Sequence, residues 1–439
     1  MEQVGSCLDR LTGLNVASDD ESLRAGMYKP KIAFVSSFEE PCANADYTEK
    51  LCQVFGDAFE VTVFNIQSSA ILKRSGPEAE EAAETHIGQI CSQLAQYDLV
   101  NIQCEMGLFG YTVEQCKRRL FNLCAHARRL IYTLHSYSVR GDDFENAHRW
   151  LFESMRNRRA DWPWTVLVHL PRDRQVMTDR FGVPPGNVVD FPVLSLSTSE
   201  REMLISGADP VKWKLRHGFE SHDIVIGRLG FFSHNKDFIT GLKALSILPP
   251  QYKMAFVGGQ HFQTIQEMAV HASIKEVVDF IDAHDDDLIR RPNFDPDRTP
   301  LMRDRVVFLG NTDPATLYEA MANIDYILVN YLETWQSGSL IASLCMEIQR
   351  PCLFSYNNTF IEYGKYFPDC FEFFNMGNHY EIRHKIMHFN REKLAKIPLR
   401  LENYTIEHLC DLYLALNAAM EKNAPPATDE AVLRFTHAA

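Results

Sequence analysis

Two polar segments in the second half of the chain have the residue types that bind phosphate. Gln336-Ser-Gly-Ser339 follows an apolar run at 326–330 and directly precedes a helical pattern starting near Leu340. A Ser/Gly turn at a helix N-terminus leaves backbone N–H groups free for an anion. In the second segment, Lys236 supplies an ammonium and Gly230 permits close approach of the backbone. Each signal alone is weak, because such a turn is more often a plain N-cap and a lysine at a helix start is usually solvated.

The elements around these segments predict how they are positioned. Short apolar runs alternate with helical periods in two successive series, which is typical of α/β proteins with parallel, doubly wound sheets. We expect an N-terminal extension at 1–28, two Rossmann-like domains at 29–205 and 206–400, and a helix and tail at 401–439. Ligands bind beyond the carboxyl ends of parallel strands, so the two domains are expected to face a central cleft that holds the ligand.

One segment interrupts the second series. Between Gly259 and Val306 lie 46 residues, including a charged run at 282–305. A connection of this length predicts either a solvated surface excursion or a loop that binds an acceptor or a partner.

Composition excludes several classes of protein. The 439 residues are 46% hydrophobic and 23% charged, which is ordinary for a globular protein. The formal net charge is −14, so the basic surface of a nucleic-acid binder is not expected. The 11 cysteines, without a Cys-x-x-Cys pair, and the lack of an apolar leader or spanning run predict a reduced, cytoplasmic protein. His and Cys lack the spacing of a metal site, so no metal is expected.

Taken in order, the motifs resemble retaining glycosyltransferases of family 4, which have the GT-B fold. In the second half the resemblance rests on Gly230 to Lys236, 308–310, 317–325, Gln336-Ser-Gly-Ser339 and 349–351. In the first half, 38–48, 102–110 and 132–135 resemble a bacterial-type subgroup with Cys-Gly-Ile-Ala-x-Tyr-Thr and Gln-His-Glu…Phe-Gly motifs. The resemblance covers about residues 30–395.

The resemblance implies a role for each matching residue. Three would be catalytic: Lys236 on the diphosphate, His135 facing the donor sugar, and Glu105 on the acceptor side. The implied donor-binding residues are Gly230, Arg228, Ser233, Gln336, Ser337, Gly338, Ser339, Glu333 and Glu347, and the implied acceptor-binding residues are Asn44, Tyr47 and Gln103. The structural alternatives are a satisfied core histidine at 135 and a strand-end hydrogen bond at 105.

The sequence departs from the family at the donor site. The family has two glutamates eight positions apart, and Gln336 and Leu344 stand there instead. Because Leu344 cannot bind a ribose, we expect Glu333 or Glu347 to substitute. The usual arginine before the lysine is Phe231, so Arg228 would reach the phosphates if its side chain points into the cleft.

The resemblance implies transfer of a sugar, with retention of configuration, from a UDP- or GDP-linked donor. The acceptor would be a glycan, a lipid-linked glycan or a protein, as in polysaccharide biosynthesis. No metal or other cofactor is expected, because the lysine and the helix dipole supply the counter-charge. Two alternatives stay open: a catalytically degenerate GT-B protein that acts as a binding or assembly subunit, and another GT-B enzyme such as a nucleotide-sugar epimerase.

Two basic clusters bear on the acceptor. Lys117, Arg118, Arg119, Arg128 and Arg129 form the first, and Arg156, Arg158 and Arg159 precede Trp162. They predict either peripheral contact with an anionic membrane at its inner face or a solvated helix face with a packed Trp loop. The sequence indicates no oligomeric state.

Overall fold

Two parallel β-sheets of six strands each organise the chain. The computed structural model describes residues 28–422 apart from 41, 159–161, 261–269, 297 and 333–336. The chain divides into two compact units. The described part of unit 1 comprises residues 28–195, 337–338 and 403–422, and that of unit 2 comprises residues 196–332 and 339–402.

Unit 1 contains the first sheet. Its strands are β1 Lys31–Ser36, β2 Glu60–Asn65, β3 Leu99–Cys104, β4 Leu130–Leu134, β5 Trp164–Val168 and β6 Val188–Asp190. The helices between them are α1 Ala43–Phe55, α2 Pro77–Leu94, α3 Val113–His126, α4 Asp143–Arg156 and α5 Pro171–Asp179. The strand order is β2-β1-β3-β4-β5-β6, and it reverses direction between β1 and β3. All six residues of β3 are buried, including the polar Asn101 and Gln103, whose side chains are hydrogen-bonded within unit 1.

Unit 2 contains the second sheet. It begins with the helices α6 Thr198–Ser206 and α7 Pro210–Arg216. The strands are β7 Ile224–Leu229, β8 Tyr252–Val257, β9 Val306–Gly310, β10 Tyr326–Val329, β11 Cys352–Ser355 and β12 Glu372–Phe374. The other helices are α8 Phe238–Ile247, α9 Ala272–Ile289, α10 Pro314–Asn323, α11 Leu340–Glu347, α12 Asn358–Tyr363, α13 His379–Met387 and α14 Glu392–Leu401. The order β12-β11-β10-β7-β8-β9 is that of a Rossmann sheet, with its reversal between β7 and β10.

The last helix, α15 Ile406–Glu421, belongs to unit 1. It packs against α1, and the rings of Phe55 and Tyr413 lie 5.0 Å apart. The Tyr413 hydroxyl also lies 3.2 Å from the Thr133 hydroxyl on β4. The two parallel sheets with alternating helices confirm the predicted α/β class.

The segment between Gly259 and Val306 is not a surface loop throughout. It contains the 18-residue helix α9, whose Val277 and Ile281 pack in the core of unit 2. Asp285 on α9 is fully buried and accepts the Met302 N–H at 2.6 Å and the Arg303 N–H at 3.1 Å. This carboxylate therefore fixes the chain that leads into β9.

The first basic cluster is largely neutralised by carboxylates. Arg119 is fully buried, and its guanidinium lies 2.7 Å from Glu84 and 2.8 Å from Glu80. Arg118 pairs with the same two glutamates. The remaining ion pairs here join Lys117 to Glu114 and Arg129 to Glu421. This arrangement favours a packed, charge-balanced helix face. Within the described residues, no helix has both the length and the apolar character needed to cross a membrane.

Candidate functional site

The strongest candidate site lies where the strand order of unit 2 reverses, between β7 and β10. Parallel sheets bind ligands at such a point, beyond the carboxyl ends of the strands. The loop after β7 carries Gly230 and Lys236, and Tyr331 is the second residue after β10. The main chains of Lys236 and Tyr331 pair in an antiparallel bridge, which joins these two loops.

The Lys236 side chain folds back over Gly230. Its ammonium donates to the Phe231 carbonyl at 2.9 Å and lies 5.4 Å from the centre of the Tyr331 ring. A Cβ atom added to Gly230 would lie only 2.7 Å from the lysine Nζ, so a side chain there would displace the ammonium. Burial, together with the nearby Arg228 guanidinium, lowers the pKa of Lys236 to about 7.

The N-terminus of α11 lies beside the same glycine. Ser339 caps the helix, and its hydroxyl accepts the Ala342 N–H at 3.3 Å. Ser339 also shares a hydrogen bond with Tyr331, and Ile341 lies 3.9 Å from the Cβ position built on Gly230. Gly230 therefore lies between an ammonium and the first turn of a helix, which is an arrangement suited to an anion.

A cavity of 390 Å³ lies along the same sheet edge. Its lining residues are Phe232, Gly258, Gly259, Gln260, Ile274, Val278, Phe308, Gly310 and Asn311. Phe308 is 46% exposed and stacks on Phe256 with the ring centres 5.0 Å apart. Gly258 lines this cavity and also lies against Gly230, since a Cβ atom added to Gly258 would be 2.5 Å from the Gly230 carbonyl oxygen. The cavity is therefore adjacent to the candidate anion site formed by Gly230, Lys236 and the first turn of α11. The arrangement suits a flat ring that carries a phosphate.

Arg228 does not point toward this anion site. Its side chain is buried, and its guanidinium donates to the carbonyls of Leu328, Asn330 and Asp237. These bonds hold the loops after β7 and β10 together, so the geometry gives Arg228 a positioning role and does not support the phosphate contact that we expected.

The other expected donor residues are dispersed. Ser233 bonds Asn235 within its own loop. Glu347 is buried at the last position of α11, where its carboxylate accepts the Leu196 N–H at 2.8 Å. It is thus at the opposite end of the helix from the anion site, and this does not favour a ribose contact. Glu333 and Gln336 lie outside the described residues. Ser337 and Gly338 belong to unit 1.

In unit 1, a hydrogen-bonded row of side chains ends in two histidines. Asn101 donates to the Ile131 carbonyl at 3.2 Å, and Gln103 donates to Asn101 at 2.5 Å. His135 Nε2 lies 2.6 Å from the Gln103 oxygen, and His135 Nδ1 lies 3.1 Å from His169 Nε2. His169 Nδ1 in turn lies 3.0 Å from the Phe191 carbonyl. Both nitrogens of His135 are therefore occupied within unit 1.

The hydrogen bonds of the two histidines require three protons. His135 Nε2 faces the Gln103 carbonyl oxygen and His169 Nδ1 faces the Phe191 carbonyl oxygen, so each of these nitrogens must carry a proton. The hydrogen bond between the two rings needs a third proton. Three N–H groups on two imidazoles amount to one positive charge. Burial opposes that charge and lowers the pKa of His169 to about 4 and that of His135 well below its usual value. At neutral pH the pair is therefore one proton short of a complete set of hydrogen bonds.

The expected acceptor residues lie near the reversal point of the first sheet. Glu105 follows β3 and accepts the Ser136 hydroxyl at 2.6 Å, and burial raises the pKa of its carboxyl. Tyr47 on α1 places its ring edge-on to His135, with the ring centres 5.6 Å apart. Among the described residues, the buried Asn44 Nδ2 has no hydrogen-bond partner, which leaves its amide N–H groups available to a ligand.

Sequence reasoning missed His169, Asp173 and Tyr331. His169 follows β5 as His135 follows β4, and this repeated strand-end histidine was the available signal. Tyr331 and Asp173 carried no recognisable motif. No three His, Cys, Asp or Glu side chains among the described residues are grouped so that they could hold a metal ion.

Comparison with solved structures identifies the fold. HepE from Anabaena in complex with UDP-glucose is 16% identical, with a TM-score of 0.61, covering 88% of this chain and 99% of its own. Sucrose-phosphate synthase from Thermosynechococcus elongatus is 15% identical, with a TM-score of 0.64, covering 89% and 100%. α,α-Trehalose-phosphate synthase (UDP-forming) from Burkholderia vietnamiensis is 12% identical, with a TM-score of 0.61, covering 90% and 99%.

These structures are GT-B glycosyltransferases, and the chain has the same two-domain α/β fold. No protein-family model and no curated protein matches the sequence.

Proposed function

We propose that the protein is a glycosyltransferase that takes its sugar from a nucleoside diphosphate sugar bound to unit 2. One observation carries the proposal: the Lys236 ammonium and the first turn of α11 meet at Gly230, at the reversal point of a Rossmann sheet. The fold supports it, since solved structures with this fold include HepE complexes with UDP and with UDP-glucose.

The geometry suggests how the donor would lie. The base would occupy the cavity beside Phe308. The volume of this cavity, 390 Å³, is within the usual range for small-molecule sites. The diphosphate would then pass Gly258 and reach Gly230, where Lys236 and the α11 N-terminus supply positive charge. As the bond between sugar and diphosphate breaks, negative charge grows on the leaving phosphate, and fixed positive groups stabilise it.

We further propose the finer features implied by the resemblance to family 4. These are retention of configuration, a metal-independent reaction, and a glycan, lipid-linked or protein acceptor. The acceptor would bind unit 1 near Asn44 and Glu105, because Asn44 offers an unpaired donor and Glu105 a carboxylate at the reversal point of that sheet.

A second candidate is a GT-B protein that binds a nucleotide sugar without transferring it. Two residues of α11 favour this candidate. Leu344 is buried and apolar, and Glu347 lies at the end of the helix away from Lys236, where it bonds Leu196, so neither is placed to bind the ribose. Incubation with a panel of UDP-, GDP- and dTDP-sugars separates the candidates. Release of nucleoside diphosphate supports the transferase, binding without release supports the second candidate, and an epimerised sugar contradicts both. Protein that neither binds nor cleaves any member of the panel contradicts the proposal as a whole.

We predict that UDP affinity falls as the pH rises above 7. The unliganded Lys236 has a pKa of about 7, so it loses its charge over this range. UDP binds the protonated form more tightly, and its affinity should therefore fall by up to about tenfold per pH unit. Isothermal titration between pH 7 and 9 measures this effect, together with proton uptake on binding.

Lys236→Arg is the matched control. Arginine stays charged throughout this range, so the variant should show a nearly flat profile. An equally steep fall in the arginine variant would assign the pH dependence to another group.

A further inference from the structure

Tyr331 contacts both parts of the candidate anion site in unit 2, the lysine and the start of the helix. The Lys236 ammonium lies over its ring, 5.4 Å from the ring centre. Its hydroxyl shares a hydrogen bond with Ser339, the residue that caps α11. Tyr331 is buried, so both contacts are made away from bulk water, where electrostatic interactions are stronger.

The main chain of Tyr331 is fixed by the end of the neighbouring strand β11. Its N–H donates to the Ser355 hydroxyl at 3.0 Å. Its carbonyl accepts the same hydroxyl at 2.7 Å and the Asn357 side-chain amide at 3.3 Å. The ring also packs on Phe360 in α12, with the ring centres 5.3 Å apart. Because both its main chain and its ring are held, Tyr331 can fix the position of the groups that it contacts.

The ring affects the charge of Lys236 as well as its position. An aromatic face within about 6 Å of an ammonium favours the charged form, most strongly where water is excluded. Burial and the nearby Arg228 guanidinium act in the opposite direction and lower the pKa of Lys236 to about 7. The Tyr331 ring therefore offsets part of this effect and keeps the lysine protonated over a wider range of pH.

We propose that Tyr331 is a positioning residue for the nucleoside diphosphate: its ring keeps the Lys236 ammonium charged and in place, and its hydroxyl holds the cap of α11 beside it. This inference rests on the proposed function, since it concerns how the same site is built. All of these groups belong to unit 2. Tyr331 acts through Lys236 and Ser339, and it is therefore not a catalytic residue.

The test measures UDP binding by isothermal titration at pH 6, 7 and 8. Tyr331→Phe removes the hydroxyl but keeps the ring over the ammonium, so it should raise the dissociation constant of UDP about threefold at every pH. Tyr331→Leu also removes the ring, so the lysine loses its proton at lower pH. Its dissociation constant relative to that of the wild type should increase about fivefold between pH 6 and pH 8. A purely structural defect would weaken binding equally at each pH.

The other charged groups near Lys236 are the same in all of these proteins. Burial lowers the pKa of Arg228 on β7 to about 10, so this guanidinium stays charged between pH 6 and pH 8. Asp237 follows the lysine and caps α8 with its carboxylate, and His234 lies in the same loop. Burial raises the pKa of Tyr331 to about 12, so its own hydroxyl does not titrate in this range. A pH-dependent difference between the variants therefore reports on Lys236.

Tyr363→Phe is the matched control for the hydroxyl. Tyr363 is also buried, and its hydroxyl donates to the Ser343 hydroxyl at 2.7 Å, on the same helix α11 but one turn beyond the cap. The variant should lose stability without changing UDP affinity by more than about twofold. Where Tyr331→Leu folds poorly, Tyr331→Met should show the same pH-dependent loss, because its flexible side chain adapts to irregular spaces.

Three results would overturn the inference while the proposed function stands. The first is a loss of affinity in Tyr331→Leu and Tyr331→Met that is the same at every pH, and the second is an equally pH-dependent loss in Tyr331→Phe. The third is a loss in Tyr363→Phe as large as that in Tyr331→Phe, since the hydroxyl would then serve only the stability of the helix. A wild-type protein that binds neither UDP nor GDP would overturn both the inference and the proposed function.

Discussion

Replacing Lys236 with methionine should lower sugar transfer by about 100-fold or more while the protein stays folded. The ammonium is the one side-chain cation that the described residues place beside Gly230 at the start of α11. Loss of a single preorganised group that stabilises developing negative charge typically costs about 3–4 kcal/mol of the barrier. Methionine keeps an unbranched side chain as far as Cε and removes only the ammonium, so the packing around Tyr331 should survive.

The Lys236→Met substitution should also change how the free energy of unfolding depends on pH. The pKa of Lys236 is about 7 in the folded protein and about 10.4 in the unfolded chain, so the unfolded state binds more protons between these values. The Lys236 contribution to stability therefore rises as the pH increases from about 7 to about 10. Lys236→Met should lack this rise and be at least as stable as the wild type near pH 7.

Donor turnover and urea unfolding at pH 7 and pH 9 measure both effects. An unchanged turnover would remove Lys236 from the mechanism. A loss of turnover accompanied by a loss of stability at pH 7 would indicate a packing defect instead.

Replacing Gly258 with alanine should destabilise unit 2 by about 3 kcal/mol and abolish tight nucleotide binding. The φ angle of Gly258 is +127°, a conformation that costs other residues about 1–3 kcal/mol. The new methyl group would also lie 2.5 Å from the Gly230 carbonyl oxygen, where the contact atom is backbone and must be displaced. That displacement would move Gly230 relative to the Lys236 ammonium.

Gly377→Ala is the matched control. Its φ angle is +77°, and a Cβ atom there meets nothing within 4 Å. It should cost only about 1–2 kcal/mol, from the left-handed backbone, and leave nucleotide binding intact. Chemical unfolding and UDP titration of the two variants separate the backbone strain from the steric effect on the site. Normal UDP affinity in Gly258→Ala would contradict the proposed path of the diphosphate.

The strands, and the meeting of Lys236 with the first turn of α11 at Gly230, could be predicted because their signals are local. Apolar runs bounded by polar segments mark buried parallel strands, and the apolar run at 326–330 contains β10. Lys236 and the first turn of α11 could be selected as candidate residues for the same reason, because both follow a strand at the edge where parallel sheets bind ligands.

The remaining features depend on contacts that no local pattern records. The direction of the Arg228 side chain is set by three carbonyls, two of them about 100 residues away in the chain. The hydrogen-bonded side chains of Asp173 and Ser337 are separated by 164 residues. The helix α9 was hidden because its charged exposed residues resemble those of a solvated loop, although Val277 and Ile281 lie in the core.

The return of α15 to unit 1 has a consequence for synthesis. The buried Tyr413 packs on Phe55. The helix α1 beside the first sheet therefore lacks its packing partner α15 until residues 406–421 have left the ribosome. Domains generally fold as they emerge, N-terminal first, but here the earlier unit is completed last. A fragment ending at residue 195 would leave the Phe55 side of α1 open to water, so cutting the chain between its two sheets does not yield two finished halves.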